Sequence, residues 1–147
     1  MSKVAFVFPG QGTQYAGMVK LLYKSLDEEN QKITDDIFFA IDDDRIREIL
    51  FNGTDEELKD TRFAQPAIAL LSVILTKLLK KKGINADFAA GHSLGEYSAL
   101  YAAGLLNESD TLKLISERGK IMSEAKIDGS MAAILGLSPS DVEEVAG

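Results

Sequence analysis

Ala86-Asp87-Phe88-Ala89-Ala90-Gly91-His92-Ser93-Leu94-Gly95-Glu96-Tyr97-Ser98-Ala99-Leu100-Tyr101-Ala102-Ala103-Gly104 is the stretch on which the fold turns. Residues 88–90 are a small, apolar run of strand character, and the alanine-rich residues 95–103 have helical character, stopped by Gly104. Between them stands G-x-S-x-G, a pattern that alone matches many unrelated proteins. Set between a strand and a helix it becomes a nucleophile elbow. A sharp turn there lifts the Ser93 oxygen above the end of a sheet, and Gly91 and Gly95 let neighbouring backbone approach where a Cβ would obstruct it. A serine so placed reads as a nucleophile rather than a surface hydroxyl.

Upstream, residues 4–8 form a continuous apolar run of strand length closed by Pro9-Gly10-Gln11-Gly12, the pattern of a buried parallel strand ending in a functional loop. Apolar positions recur at helical spacing over 15–26 and 33–41, and a short helix over 45–51 places Ile46, Ile49 and Leu50 on one side. Thr54-Asp55-Glu56-Glu57 has capping-box form. Pro66 is expected to open a long apolar helix over 67–82, with Gly83 as its stop and Lys80-Lys81-Lys82 suited to its dipole. Downstream, Asn107 or Ser109 caps a helix that carries Leu112, Ile115 and Ile121 to about Glu124. Residues 130–137 read as a strand, and Ser138-Pro139-Ser140-Asp141 as the cap of a further helix. Strands alternating with helices put the chain in the α/β class with a mainly parallel sheet.

At 147 residues, 46% hydrophobic and 27% charged, the chain has the size and composition of one soluble globular core. Its net charge of -7 argues against a nucleic-acid partner, because phosphates reward the opposite sign. No apolar run approaches an uninterrupted membrane span, and the first residues are too few for a signal peptide's apolar region, so no membrane association and a cytoplasmic location are expected. Without cysteine there is no disulfide, thiolate nucleophile or thiolate-bound metal. The runs Asp27-Glu28-Glu29 and Asp42-Asp43-Asp44 sit at helix ends without the alternating spacing of a calcium loop, so they read as solvated and no metal is expected.

Ser93 needs a base, and the sole histidine, His92, is its immediate neighbour. Adjacent side chains diverge in a tight turn, so His92 cannot bring a ring nitrogen to within about 3 Å of the serine oxygen. It reads instead as a residue bracing the elbow. Either Ser93 is not catalytic in this chain or its partner lies on other polypeptide.

Five separated segments then agree: Phe8-Pro9-Gly10-Gln11-Gly12, Ala64-Gln65-Pro66-Ala67, Gly91-His92-Ser93-Leu94-Gly95-Glu96-Tyr97, Glu117-Arg118-Gly119 and Met131-Ala132-Ala133-Ile134-Leu135-Gly136. In order and spacing the chain resembles the malonyl-CoA:acyl carrier protein transacylases of fatty acid synthesis. The members of that family are considerably longer, and their catalytic histidine lies well beyond residue 147. The resemblance therefore implies a first half: residues 1–127 as part of a large, α/β-hydrolase-like subdomain, and 128–147 as the first strand and helix of a small ferredoxin-like one. It implies that Ser93 takes the malonyl group as an ester, that the backbone N–H groups of Gln11 and Leu94 form the oxyanion hole, that Arg118 pairs with the free carboxylate of malonate, and that Met122 lines the pocket. A planar guanidinium suits that carboxylate better than a lysine would. Leu94 occupies the variable elbow position in the manner of malonyl-selective members. The implied partners are malonyl-CoA and acyl carrier protein, with no cofactor. Gln65 belongs to a family motif without an assigned step.

Plainer readings stand beside these. Gln11 is also a loop amide capping nearby backbone, Arg118 a solvated arginine on a charged helix face, and Met122 a core residue at helical spacing. Lys80-Lys81-Lys82 reads as a solvated helix end before it reads as a patch for an acidic carrier protein. Two other functions compete: a serine esterase of α/β-hydrolase type, which gives Arg118 no role, and an inactive fragment or interaction module lacking the catalytic histidine. The strand around 131–137 would leave apolar edge uncovered, so self-association is expected there.

Overall fold

The computed structural model describes residues 2–125 and 134–146. Two strands, β1 (Ala5–Phe8) and β2 (Phe88–Gly91), pair in parallel with Ala5 beside Phe88 and Phe8 beside Gly91. Parallel neighbours need a crossover rather than a tight turn. Here it consists of α1 (Met18–Ser25), α2 (Glu28–Phe38), α3 (Asp44–Asn52), a 3-10 turn (Glu57–Lys59) and the long α4 (Thr61–Lys81). After β2 come α5 (Gly95–Ala102), α6 (Glu108–Glu124) and α7 (Pro139–Ala146). The α/β class with a parallel sheet is as the sequence predicts.

Helix α4 is the centre of the core. Phe63, Ala67, Ile68, Ala69, Leu70, Val73 and Ile74 are all buried, packed in one cluster with Val19, Ile37, Ile46, Ile49, Leu50, Leu112 and Ile115. Among the described residues it is the one helix long and apolar enough to cross a membrane, but 61% of its most apolar window is buried inside the fold, as a core helix requires. Pro66 does not open it. The helix starts at Thr61, where the Asp60 carboxylate accepts from the Arg62 N–H, and Pro66 lies in the second turn. There it withholds one N–H from the Arg62 carbonyl, a loss the surrounding burial outweighs.

Three further helix starts follow side-chain caps. Asp27, Asp43 and Asn107 each accept a backbone N–H three residues on, so α2 begins earlier than its apolar spacing suggests. The Thr54–Glu57 pair is a reciprocal capping box, with the Glu57 carboxylate accepting from the Thr54 N–H and the Thr54 hydroxyl from the Glu57 N–H. The strand expected at 130–137 is not found where it can be described. Residues 126–133 lie outside the described ones, and Ile134 to Leu137 pair with nothing, because β1 and β2 pair only with each other among the described residues. Ser138 does cap α7, its hydroxyl accepting from the Asp141 N–H.

Candidate active site

The parallel register sets both functional loops at one end of the sheet. With Phe8 beside Gly91, the two chains leave their strands together, and the His92 N–H donates to the Phe8 carbonyl at 3.1 Å as a last rung. The chain turns at once: the Gly95 N–H donates to the His92 carbonyl and the Glu96 N–H to that of Ser93, so α5 begins on the elbow itself. Ser93 sits at the apex with φ 55°, the only described non-glycine residue with a positive φ. That left-handed conformation costs an ordinary residue about 1–2 kcal/mol and is held by the packing around it. Leu94, fully buried, anchors the turn, while Ser93 is exposed.

The turn is tight enough to exclude side chains. A Cβ on Gly91 would fall 2.1 Å from the Gly95 carbonyl, and one on Gly95 would fall 2.5 Å from the carbonyl oxygen of Phe8. The strand, the elbow and the start of α5 therefore touch backbone to backbone. The His92 ring lies towards the early loop, with its Nδ1 2.4 Å from where a Cβ of Gly10 would stand. His92 thus lies beside the early loop, but its side chain is exposed and makes no hydrogen bond among the described residues, so the packed, bonded brace read from the sequence is not what it forms.

Arg118 reaches Ser93 from α6. Its Nη2 donates to Ser93 Oγ at 3.1 Å, and its Nη1 donates to the Oε1 of Gln65 on α4. Gln65 in turn donates through Nε2 to the Met122 sulfur at 3.3 Å. One chain of contacts thus joins Ser93, Arg118, Gln65 and Met122. Gly119 makes the approach possible: α6 lies so close to the first turn of α4 that a Cβ there would come within 3.0 Å of the Thr61 carbonyl. The Ser123 hydroxyl, one turn on, donates to the Asp60 carboxylate and holds the same helices together. Met122 is half exposed rather than a core residue, and Arg118 is partly buried rather than solvated.

Gln11 lies in the loop after β1, its amide paired both ways with the Thr61 hydroxyl at the start of α4, at 3.0 and 3.2 Å. Gln14 braces the same loop by donating to the Leu58 carbonyl. Among the described residues, neither the Gln11 N–H nor the Leu94 N–H donates to another protein group. Lys80 donates to the Ala102 carbonyl and lies over the Tyr101 ring, and Lys81 pairs with Glu29. The Tyr101 hydroxyl donates to Glu108, and burial pushes its pKa up. The Lys77 ammonium beside Glu108 holds that carboxyl below its usual range. A cleft of about 500 Å³ opens between α1, α2 and α3, lined by Tyr23, Phe38, Phe39 and Phe51, and holds none of the site residues.

Gln65 is the site residue whose role the sequence does not reveal. Beyond its place in the Ala64–Ala67 motif, its signal is an amide on a largely apolar helix, and which partner such an amide finds depends on tertiary packing. Gly119 is legible in the same limited way, as a glycine inside a helix.

The acyl transferase domain model matches residues 5–145. Malonyl CoA-acyl carrier protein transacylase of Bacillus subtilis is 42% identical over 99% of the chain, which covers 46% of that protein. The crystal structure of acyl-carrier-protein-S-malonyltransferase from Bartonella henselae superposes with a TM-score of 0.85 at 39% identity, over 98% of this chain and 47% of that one. A malonyl-transacylase solved in complex with a type II polyketide acyl-carrier protein superposes with a TM-score of 0.70 at 35% identity, over 84% of this chain and 40% of that one. The chain spans about half the length of the curated relatives it matches. With a strained serine at a strand-to-helix turn, an arginine on its oxygen and the family pattern running the length of the chain, it belongs to the acyl transferase domain family.

Proposed function

We propose that the chain carries the nucleophile half of a malonyl-CoA:acyl carrier protein transacylase of fatty acid biosynthesis. The observation that carries the reading is the Arg118 guanidinium 3.1 Å from Ser93 Oγ, because a cation set beside the nucleophile selects an acyl group that bears a free carboxylate. A serine esterase has no use for it. In the first step Ser93 Oγ bonds to the thioester carbon of malonyl-CoA, the carbon–sulfur bond breaks, and the serine proton ends on the departing coenzyme A thiol. In the second, the phosphopantetheine thiol of acyl carrier protein attacks the malonyl ester and the proton returns to Ser93. The Gln11 and Leu94 N–H groups receive the oxyanion in each step, helped by the positive end of α5. Met122 lines the acyl side of the site. No metal or cofactor enters the scheme.

The base is the family's histidine, which the resemblance places beyond residue 147. Arg118 has no acceptor lone pair and cannot serve. The same reading assigns residues 1–127 to a large α/β-hydrolase-like subdomain and 128–147 to the start of a ferredoxin-like one. It also gives the protein a cytoplasmic location, and assigns self-association of the 147-residue chain to the exposed Ile134, Leu135 and Leu137. The decisive experiment is intact-mass analysis after incubation with malonyl-CoA: a single malonyl adduct mapped to Ser93 and absent from Ser93→Ala is expected, and an adduct that survives the substitution rejects the assignment.

A further inference from the structure

We propose that Gln65 positions Arg118 for carboxylate recognition, with the Met122 thioether fixing which way the Gln65 amide faces. The inference rests on the acyl-transfer reading and adds to it a residue that the reading leaves without a role. Gln65 is only 1% exposed, and its amide makes two side-chain contacts of opposite kind: the oxygen accepts from Arg118 Nη1, and the nitrogen donates to Met122 Sδ. A guanidinium offers only donors and a thioether only an acceptor. Turning the amide over would set donor against donor at Arg118 and oxygen against sulfur at Met122, so a single orientation satisfies both neighbours.

That orientation ties down one terminal nitrogen of Arg118 and leaves Nη2 directed at Ser93. A long, flexible side chain is thereby ordered when the protein folds rather than when the acyl group arrives, which is the usual way preorganisation improves binding. The neutrality of the holder matters as much. A carboxylate in the same place would grip the guanidinium more firmly but neutralise it, and the substrate carboxylate would then meet a charge already paired. Glutamine restrains the cation and leaves its charge free. Gly119 and the Ser123–Asp60 contact serve the same end, keeping α6 close enough to α4 for the amide to reach.

The test uses the 147-residue protein and follows Ser93 acylation by intact mass, with malonyl-CoA and acetyl-CoA supplied separately. For the parent protein, faster labelling by malonyl-CoA is expected, and Arg118→Ala should remove that preference. Gln65→Ala should slow malonyl labelling about tenfold or more while leaving acetyl labelling within about twofold, the loss expected for a hydrogen bond to a charged group. Gln65→Glu keeps the shape, serves if the alanine variant does not fold, and should abolish the malonyl preference by neutralising Arg118. Met122→Leu should act in the same direction more weakly. A purely structural Gln65 would instead lower both rates together, in step with the melting temperature. Retention of the malonyl preference by Gln65→Ala and Gln65→Glu, with its loss in Arg118→Ala, would overturn this inference and leave the acyl-transfer reading standing. No Ser93 adduct from either thioester in the parent protein would overturn both.

Discussion

Gly91→Ala should damage the protein far more than Gly10→Ala, although both glycines lie within the same cluster of loops. At Gly91 the added methyl would sit 2.1 Å from the Gly95 carbonyl carbon and oxygen and 2.3 Å from the Glu96 nitrogen. Carbon atoms rest at about 3.5–4.0 Å, so more than about 1 Å of separation is required, and every atom in the way is backbone. Neither side can give. β2 is tied to β1 through its ladder, and α5 is held by the fully buried Leu94 and Ser98 and by carbonyl contacts at Gly95. Overpacking a core with side chains costs about 1–3 kcal/mol, and a clash that only backbone movement relieves lies above that, about 3–5 kcal/mol. At about 2–4 °C per kcal/mol for a domain of this size, the melting temperature falls by roughly 6–20 °C. At Gly10 the nearest obstacle is the His92 ring, 2.4 Å away, but that side chain is exposed and free to swing aside. The cost there is about 1 kcal/mol or less, a shift below about 4 °C. Thermal and urea melts of both variants decide the matter. A Gly91→Ala protein within about 1 kcal/mol of the parent, or a Gly10→Ala protein as unstable as Gly91→Ala, would refute the backbone-contact account of the elbow.

Ser93→Gly and Ser93→Ala both remove the nucleophile and the Arg118 contact, yet the glycine variant should be more stable than the alanine one by about 1–2 kcal/mol, because only alanine must hold the positive φ; equal urea midpoints would show the turn relaxes. Arg118→Ala should depress Ser93 malonylation while sparing or improving acetylation, and equal losses would make Arg118 structural. Acid should weaken the fold. Glu108, lowered chiefly by the Lys77 hydrogen bond, and Asp87, lowered chiefly by the Val4 N–H and then by Lys3, contribute stability that is fully present above the unfolded carboxylate range near pH ~4 and lost as pH falls through their depressed folded values. Melts from pH 7 to 3 should show this, and Glu108→Gln should flatten part of the slope; an unchanged slope would remove Glu108 from the account. With carrier protein present, coenzyme A release by the 147-residue chain should be slower than a complete enzyme's by on the order of 10⁴ to 10⁶, the usual consequence of a missing base. Robust Ser93-dependent turnover would require a base other than histidine.

The elements legible in the sequence were those with local causes. The capping residue Asn107, the Thr54–Glu57 box and the G-x-S-x-G turn each dictate their own conformation, and each is found where its residues stand, whereas the Asp43 cap was hidden in a run that reads as solvated. Helix α4 shows the limit. Pro66 is the stronger sequence signal, but Asp60 starts the helix because the residues from Phe63 onwards are buried and packing rewards helix there. The strand at 130–137 illustrates another limit: apolar residues define a candidate, but a strand exists only with a partner, and Ile134 to Leu137 have none among the described residues. At the site, Ser93 and Arg118 were legible as residues, whereas the Gln65 contact to Arg118 depends on how two helices bring together residues 53 positions apart in the chain.

What these contacts do to the nucleophile is specific. The side-chain hydrogen bond that Ser93 makes among the described residues comes from a donor, so the serine oxygen is held and partly occupied but not deprotonated. On the proposed function Arg118 receives the carboxylate of the acyl group, and the elbow sets the oxygen at the apex of the turn. Selection and positioning are therefore built from residues 8–122 and their own packing. Proton transfer is not. The His92 ring is turned towards Gly10, away from the Arg118 contact that Ser93 makes. With the nearest histidine ring turned the other way, the base that the proposed function requires approaches from the open side, over the exposed Ser93 and Met122.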